Sequence, residues 1–389
     1  MEQAIQVVRD ALRFLNDVGA IIYLWVQQTL LGFVRGFLPD YWAGSLVWLI
    51  MQVIGIVCVI ALLGIFAILF IYFERRGVAR VQDRWGPNRA GPWGLIQGIA
   101  DTVKLITKED VIPVRADQWV FRLAPIVAMV PAVMVFAVIP FGYAKIGAGT
   151  DALNMPFILA DLNIGILYGV AVGSLTTVAI LMAGWGSNNK YSLLGGLRSG
   201  AMMISYEIPL ALALVSVGLL AGSLSTVDIV KAQPFIKPFG IDLFGGYILL
   251  QPLGFILFMM AAVVELNRSP GDFAAAEAEL VAGYHTEYSG MRFAAIYVAE
   301  YFNAFFVCCM ATTLFLGGWR GPEILPSYAW VLVKAVLLFW CLVWLLGTLP
   351  RPRIDQMLGF AWKVMIPLAL LNLFGTALGV SLWQAWVVK

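Results

Sequence analysis

Three ionisable residues sit inside apolar runs of this chain: Glu207, Glu300 and Lys334. Each costs roughly 2.5–3.5 kcal/mol at the centre of a membrane helix. Lipid-facing positions would not carry three such groups, so all three are expected to face a bundle interior or a water-filled cavity. Glu207 lies in Ser205-Tyr206-Glu207-Ile208-Pro209, where the proline removes a backbone donor and can open the local hydrogen-bond ladder. A carboxylate at such a break can take up and release a proton. A hydrogen-bonded structural glutamate is the plainer alternative.

Two short polar stretches carry the remaining chemistry. Glu265 to Arg292 holds Glu265, Asp272, Glu277, Glu279 and Glu287 against only Arg268 and Arg292. Like charges so crowded share protons. A metal site is the rival, but His285 is the only histidine and the acids do not follow a calcium-loop spacing, so no metal ligand set is read here. The other stretch has the opposite bias: Arg75, Arg76, Arg80, Arg84 and Arg89 fall close together, among Gly86, Pro87, Gly91, Pro92 and Gly94, which turn the backbone. Arginines of this kind either pair with carboxylates across a protein interface or anchor the loop by charge alone. No phosphate-cradling glycine loop occurs, and nothing suggests nucleic-acid binding.

The elements that must position these residues are membrane helices. Of the 389 residues 61% are hydrophobic and 12% charged, and mean hydropathy is +0.87. That composition points to an all-α polytopic membrane protein. Eight apolar runs approach the ~20 residues a span needs, near 43–73, 118–141, 161–184, 200–222, 247–266, 294–317, 328–348 and 361–386. Residues 42–389 therefore read as one membrane domain of eight helices. The first run, Ala43 to Phe73, exceeds the hydrocarbon thickness and should tilt. In the loop after it, Gln97, Asp101, Lys104 and Lys108 form one stripe and Trp93, Ile96, Val103 and Ile106 another, the pattern of an amphipathic surface helix. Gly165, Gly169 and Gly173 at four-residue spacing should admit a neighbouring helix. Residues 1–41 read as an N-terminal extension with an interfacial amphipathic helix, a ninth span being the alternative. The loop after span one holds eight Lys and Arg, against four in the loops after spans two, four and six together. The loops after spans one, three, five and seven are thus expected in the cytoplasm. Cys58, Cys308, Cys309 and Cys341 all fall in spans with no Cys-x-x-Cys pair, so they read as packing residues.

The polar motifs closely resemble the quinone-site membrane subunit (H-type, or subunit 1) of respiratory complex I. The resemblance rests on Phe73-Glu74-Arg75, Arg84, Gly86-Pro87-Asn88-Arg89, Ala100-Asp101, Lys104-Leu105, Gly184-Trp185, Ile204-Ser205-Tyr206-Glu207, Asn267-Arg268, Asp272, Glu277, Glu279-Leu280, Glu287-Tyr288-Ser289-Gly290-Met291, Glu300-Tyr301 and Leu349-Pro350-Arg351. It covers about residues 45 to 385. It implies a subunit of a proton-pumping NADH:quinone oxidoreductase with quinone as its substrate. FMN and iron–sulfur clusters would sit only in partner subunits. By resemblance, Arg75, Arg84, Asp101, Lys104, Arg268 and Arg351 belong to the quinone chamber. Glu74, Glu207, Glu265, Asp272, Glu277, Glu279 and Glu300 belong to the start of the proton path. The implied partners are the quinone-site and iron–sulfur subunits of the hydrophilic arm, small membrane subunits, antiporter-like subunits and membrane lipid. The expected location is the bacterial plasma (inner) membrane. Departures from the family pattern are Ala275 where a glutamate is common, Gly271 for an aromatic, and Gly347 where an arginine is frequent. They keep open the equivalent subunit of a membrane-bound hydrogenase or a ferredoxin- or deazaflavin-linked complex. A purely structural anchor for a soluble oxidoreductase is the reading from another class.

Overall fold

In a computed structural model, residues 18, 21–35, 40–146, 153–236, 244–274, 277–322 and 325–387 are described. Helices dominate throughout. Residues 21–35 form α1, whose Val26, Leu30, Leu31 and Val34 pack on Ala43, Val47 and Met51 of α2. Most of the rest of the 1–41 extension lies outside the described residues.

The long α2 (Asp40–Val81) runs eight residues past the apolar stretch that ends at Phe73. Helix continuation needs backbone hydrogen bonds rather than apolar side chains, and residues 74–81 contain no proline. Glu74, Arg75, Arg76 and Arg80 are therefore the end of a helix and not the start of a loop. The chain turns at Asp83, which has φ 51, and next forms α3 (Gln97–Thr107), the helix expected from the two stripes. Gly98 of α3 sits against Ile68 of α2; a Cβ there would come within 2.8 Å of the isoleucine.

Next come α4 (Gln118–Met134), the hairpin β1 (Gly142–Ile146) and β2 (Leu153–Phe157), and the pair α5 (Gly165–Gly173) and α6 (Leu175–Gly186). The third run is thus broken at Ser174. The chain goes on through α7 (Lys190–Ala221), α8 (Thr226–Ala232), the small hairpin β3 (Phe235–Ile236) and β4 (Phe244–Gly245), and α9 (Pro252–Glu265). Last are α10 (Glu277–Leu280), α11 (Gly290–Phe315), α12 (Ser327–Thr348), α13 (Ile354–Phe360), a five-residue π-turn and α14 (Ile366–Val387). Among the described residues, seven segments are long and apolar enough to cross a membrane. The eighth expected run is α9, apolar but only 14 residues long. The body is all-α and polytopic, and the two short antiparallel hairpins are additions to the sequence reading.

Among apolar helices in lipid, packing replaces the hydrophobic drive. Phe70 of α2 stacks on Phe339 of α12 at 3.8 Å, and Phe66 on Phe305 of α11 at 4.5 Å. Each such pair is worth about 0.5–1.5 kcal/mol beyond its buried area. The stack ties α2, α11 and α12 into one body. Small residues bring other helices closer: a Cβ on Gly184 of α6 would meet the Ser192 carbonyl of α7 at 2.7 Å. Gly165, Gly169 and Gly173 face Thr226 of α8, Phe306 of α11 and Glu265 of α9, three elements rather than the one neighbouring helix the spacing suggests.

Candidate functional site

The site grows from the ends of three helices. Asn267, with φ 49, closes α9 in the left-handed conformation that asparagine tolerates. It directs Arg268 back toward α2, where the guanidinium pairs with Glu74. That guanidinium also lies over the Tyr301 ring of α11, 4.5 Å from its centroid. On the same face of α11, Glu300 accepts a 2.7 Å hydrogen bond from the Tyr284 hydroxyl, and the Tyr297 and Tyr301 hydroxyls are 3.1 Å apart. Tyr284 is held in place because Gly195 of α7 has no side chain; a Cβ there would meet the Tyr284 nitrogen at 2.9 Å.

These groups enclose a chamber of about 300 Å³, lined among others by Glu74, Arg268, Asp272, Tyr284, His285 and Glu300. Arg268 is surrounded electrostatically by Glu74, Tyr301 and Glu300, while Glu300 also feels Asp272. Burial, and then the Glu300 carboxylate, push the Tyr284 phenol well above its usual range, so it stays a donor. Burial holds the His285 imidazole down to about 4, which keeps it neutral. It lies edge-on to Tyr284, with ring centroids 5.0 Å apart.

Behind the chamber lies a second carboxylate pair. Glu265 ends α9, and Glu207 of α7 is its electrostatic neighbour. Glu207 is hydrogen-bonded by Ser174, the residue at the break between α5 and α6. Glu300 lines both the chamber and a cavity of about 20 Å³, and Glu265 lines that cavity and another of about 40 Å³. A void needs about 10–15 Å³ to hold a water, so each has room for one or a few. Asn303 and Thr176, hydrogen-bonded at 3.3 Å, line both of the smaller cavities.

The other sequence-predicted residues are placed in varied ways. Asp101 of α3 accepts from Arg75 at 2.6 Å, from Gln97 at 3.1 Å and from Lys104 at 3.2 Å. Burial raises its pKa, but the Arg75 and Lys104 hydrogen bonds more than reverse this and hold the carboxyl below its usual range. Tyr297 and Tyr301 are within electrostatic reach of Arg75, which links this pair to the chamber wall. Arg351 donates to the Asp272 carbonyl and lies over the Phe273 ring. Arg84 is exposed and bonds Gln82. Glu279 is exposed and pairs with Arg198 of α7 at 2.6 Å. Glu277 opens α10, and Ala275 lies outside the described residues. Lys334, grouped above with Glu207 and Glu300, is at the far end of the bundle, where it donates to the carbonyls of Leu316, Gly318 and Arg320. Sequence reasoning did not single out Ser174, Thr176 or Asn303. Nor did it give Tyr284, Tyr297 and Tyr301 a role; the signal for the last two was hydroxyls at i, i+4 flanking Glu300.

Among the described residues, no group of three or more His, Cys, Asp or Glu is arranged to hold a metal. The arrangement brings together buried carboxylates, with a water-sized void between Glu300 and Glu265. The fold and site define a multi-pass helical membrane protein with a cluster of buried carboxylates. Residues 54–377 match the NADH dehydrogenase family, and the chain belongs to it. It is 49% identical over 340 residues to the NADH-quinone oxidoreductase H subunit of Dehalococcoides mccartyi (strain CBDB1), covering 87% of this chain and 88% of that protein. It is 48% identical to the corresponding H subunit of Thermomicrobium roseum, over 86% of this chain and 97% of that one. With an H subunit of Geobacter sulfurreducens, the one numbered 2, it shares 47% identity over 79% of this chain and 89% of the relative. All three relatives are named as subunits of NADH-quinone oxidoreductase.

Proposed function

We propose that this chain is the membrane subunit of a proton-translocating NADH:quinone oxidoreductase that walls the quinone chamber and starts the proton path. The observation that carries the reading is the succession of cavities. Glu300 and Glu265 each line two of them, so chamber, Glu300 and Glu265 form one series, and Glu207 adjoins it as the electrostatic neighbour of Glu265. Family membership supports the substrate class.

The chemistry follows from the charges. A quinone takes two electrons, delivered by an iron–sulfur cluster of a partner subunit, and two protons. The reduced, more negative ring draws on the cation beside it, Arg268, which Glu74 and Glu300 otherwise share. Glu300 then loses part of its positive neighbour and binds a proton. When the chamber resets, Arg268 returns and the proton moves on through the water-sized void to Glu265. The neighbouring Glu207 takes it further into the membrane half of the complex. The Arg75–Asp101 pair holds α3 to α2, with Lys104 beside Asp101 on α3, and this brace borders the chamber through Tyr297 and Tyr301. Arg351 fixes the Asp272 segment. In this reading the loops after spans one, three, five and seven face the cytoplasm and meet the hydrophilic arm.

Glu207→Gln tests it. The assembled variant is expected to lose coupled turnover by about 10²-fold, the typical contribution of a positioned proton-transfer group. Normal proton pumping in that assembled variant removes Glu207 from the mechanism. Kinetic indifference to Glu207, Glu300 and the acidic loop together makes the chain a structural anchor.

A further inference from the structure

The end of α11 remote from the chamber is built on the opposite plan. From Glu300 to Leu316 the helix rises about 24 Å, and Ala304, Phe305 and the whole stretch from Val307 to Phe315 are buried. The last carbonyls of a helix have no partner within it and ordinarily go to water. Here three other elements take them. Gln233, which follows α8, donates from Nε2 to the Thr313 and Leu314 carbonyls at 2.7 and 3.0 Å. The Ile248 nitrogen, ahead of α9, donates to Phe315 at 3.0 Å. Lys334 of α12 donates from Nζ to Leu316 at 2.7 Å, Gly318 at 3.0 Å and Arg320 at 2.6 Å.

Three carbonyls on one amine require three N–H groups, and only the ammonium form has them. A fixed positive charge therefore sits on the negative end of the α11 dipole. A second cation lies beside it: Arg320 donates to the Gln233 carbonyl at 2.7 Å. Tyr143 and Trp319 stack beside them at 5.5 Å. A left-handed turn, usually at glycine, closes roughly a third to a half of helices, and Gly317 and Gly318, with φ 79 and 52, already supply one. A lysine placed within a span at a cost of roughly 2.5–3.5 kcal/mol is more than capping needs.

We infer that the Lys334–Gln233 cap is a proton seal: a dry, positively charged closure that stops protons held on Glu300, Glu265 and Glu207 from leaking to the opposite membrane face. Its carbonyls are already engaged by Gln233, Ile248 and Lys334, which leaves Gln233 Oε1 as the buried cap acceptor without a partner, and its charge repels hydronium. The role rests on the proton path proposed above; the tightness of the cap does not.

The test is passive. The whole complex is placed in liposomes without NADH, a potassium diffusion potential is imposed with valinomycin, and proton influx is read with an internal pH dye. Lys334→Met is expected to raise influx about tenfold, which is what ~1.4 kcal/mol off a barrier gives, and Lys334→Arg to stay near the parent rate. Gln233→Leu, which uncovers two carbonyls without changing charge, should leak to a smaller degree. Assembled Lys334→Met and Gln233→Leu complexes as tight as the parent overturn the proposal. Should neither assemble, deuterium exchange on the unmodified complex decides: amides of residues 312–318 that stay protected support the seal, and exchange as fast as in the 284–288 loop overturns it. Because no turnover is involved, a tight Lys334→Met beside an uncoupled Glu207→Gln would sink the seal and leave the proton path standing.

Discussion

The two ends of α11 bury polar groups in opposite ways. At the chamber end the buried acceptors are carboxylates, which can bind a proton. Their partners are few and shared: Arg268 serves Glu74 and lies near Glu300, yet its Nη2 is buried without a partner. A void of water size lies between Glu300 and Glu265, and another adjoins Glu265. At the far end the acceptors are main-chain carbonyls, which cannot be protonated near neutral pH, and Gln233, Ile248 and Lys334 occupy them. The lesson is that burial alone does not make a polar group mobile. Mobility comes where proton-binding groups outnumber fixed donors; rigidity comes where main-chain acceptors each have a fixed donor, even with the Gln233 side-chain oxygen left over.

The hardest blow to that comparison is aimed at its pivot. Arg268→Ala leaves Glu74 without its ion-pair partner, and breaking a buried pair typically costs about 3–5 kcal/mol. The protein should fail to assemble or melt at markedly lower temperature, while Glu74→Ala combined with Arg268→Ala should recover part of the loss. Equal stability of Arg268→Ala and the parent would mean that this pair does not hold the α9 end to α2. Acid gives the next largest effect. His285 has its pKa lowered from 6.5 to about 4 by burial, so the unfolded chain binds a proton that the folded one refuses. Stability should therefore fall as pH drops from 6.5 to about 4 and level off below. Each unit is worth about 1.4 kcal/mol, an upper bound of about 3 kcal/mol that solvent reaching the ring through the chamber reduces. Melting midpoints at pH 7.5 and 5.0 check it. His285→Gln should flatten the difference, and an unchanged slope would put the acid sensitivity elsewhere.

How far the sequence foretold these ends differs for a physical reason. Glu207 and Glu300 were legible because an ionisable side chain in an apolar run carries an insertion cost that needs a purpose. Lys334 was legible by the same rule, but its purpose was not. Its acceptors are carbonyls of Leu316, Gly318 and Arg320, backbone atoms that no pattern of side chains reveals. The pairing of Glu265 with Glu207 crosses two helices, and the small cavities are what imperfect packing leaves over, so neither has a local signature. The reach of α2 to Val81 was hidden because hydropathy ends at Phe73 while backbone hydrogen bonding does not. The two hairpins were hidden because strands of two to five residues beside turns give too little alternation to read. The two stripes, by contrast, pointed to a helix that forms over Gln97–Thr107, although Trp93, Ile96 and Lys108 lie outside it.

Smaller perturbations separate the chamber from its wall. Tyr284→Phe removes the 2.7 Å hydrogen bond to Glu300, worth about 1.5–3 kcal/mol where the partner is charged. It should slow coupled turnover about tenfold or more without loss of assembly, and an unaffected rate would show that Glu300 does not depend on this donor. Lys104→Ala is the mildest. Its side chain is 67% exposed, and its 3.2 Å contact is the weaker of the two cations on Asp101. Exposed pairs contribute about 0–1 kcal/mol and are screened by salt, and Arg75 stays on Asp101 at 2.6 Å. The melting midpoint should therefore barely move, and any change should vanish in high salt. Quinone kinetics make the same variant informative. If Lys104 only braces α3, turnover follows stability and stays put. If KM for quinone rises while the midpoint holds, Lys104 faces the ligand, and the chamber extends past Tyr297 and Tyr301 to the outer face of α3.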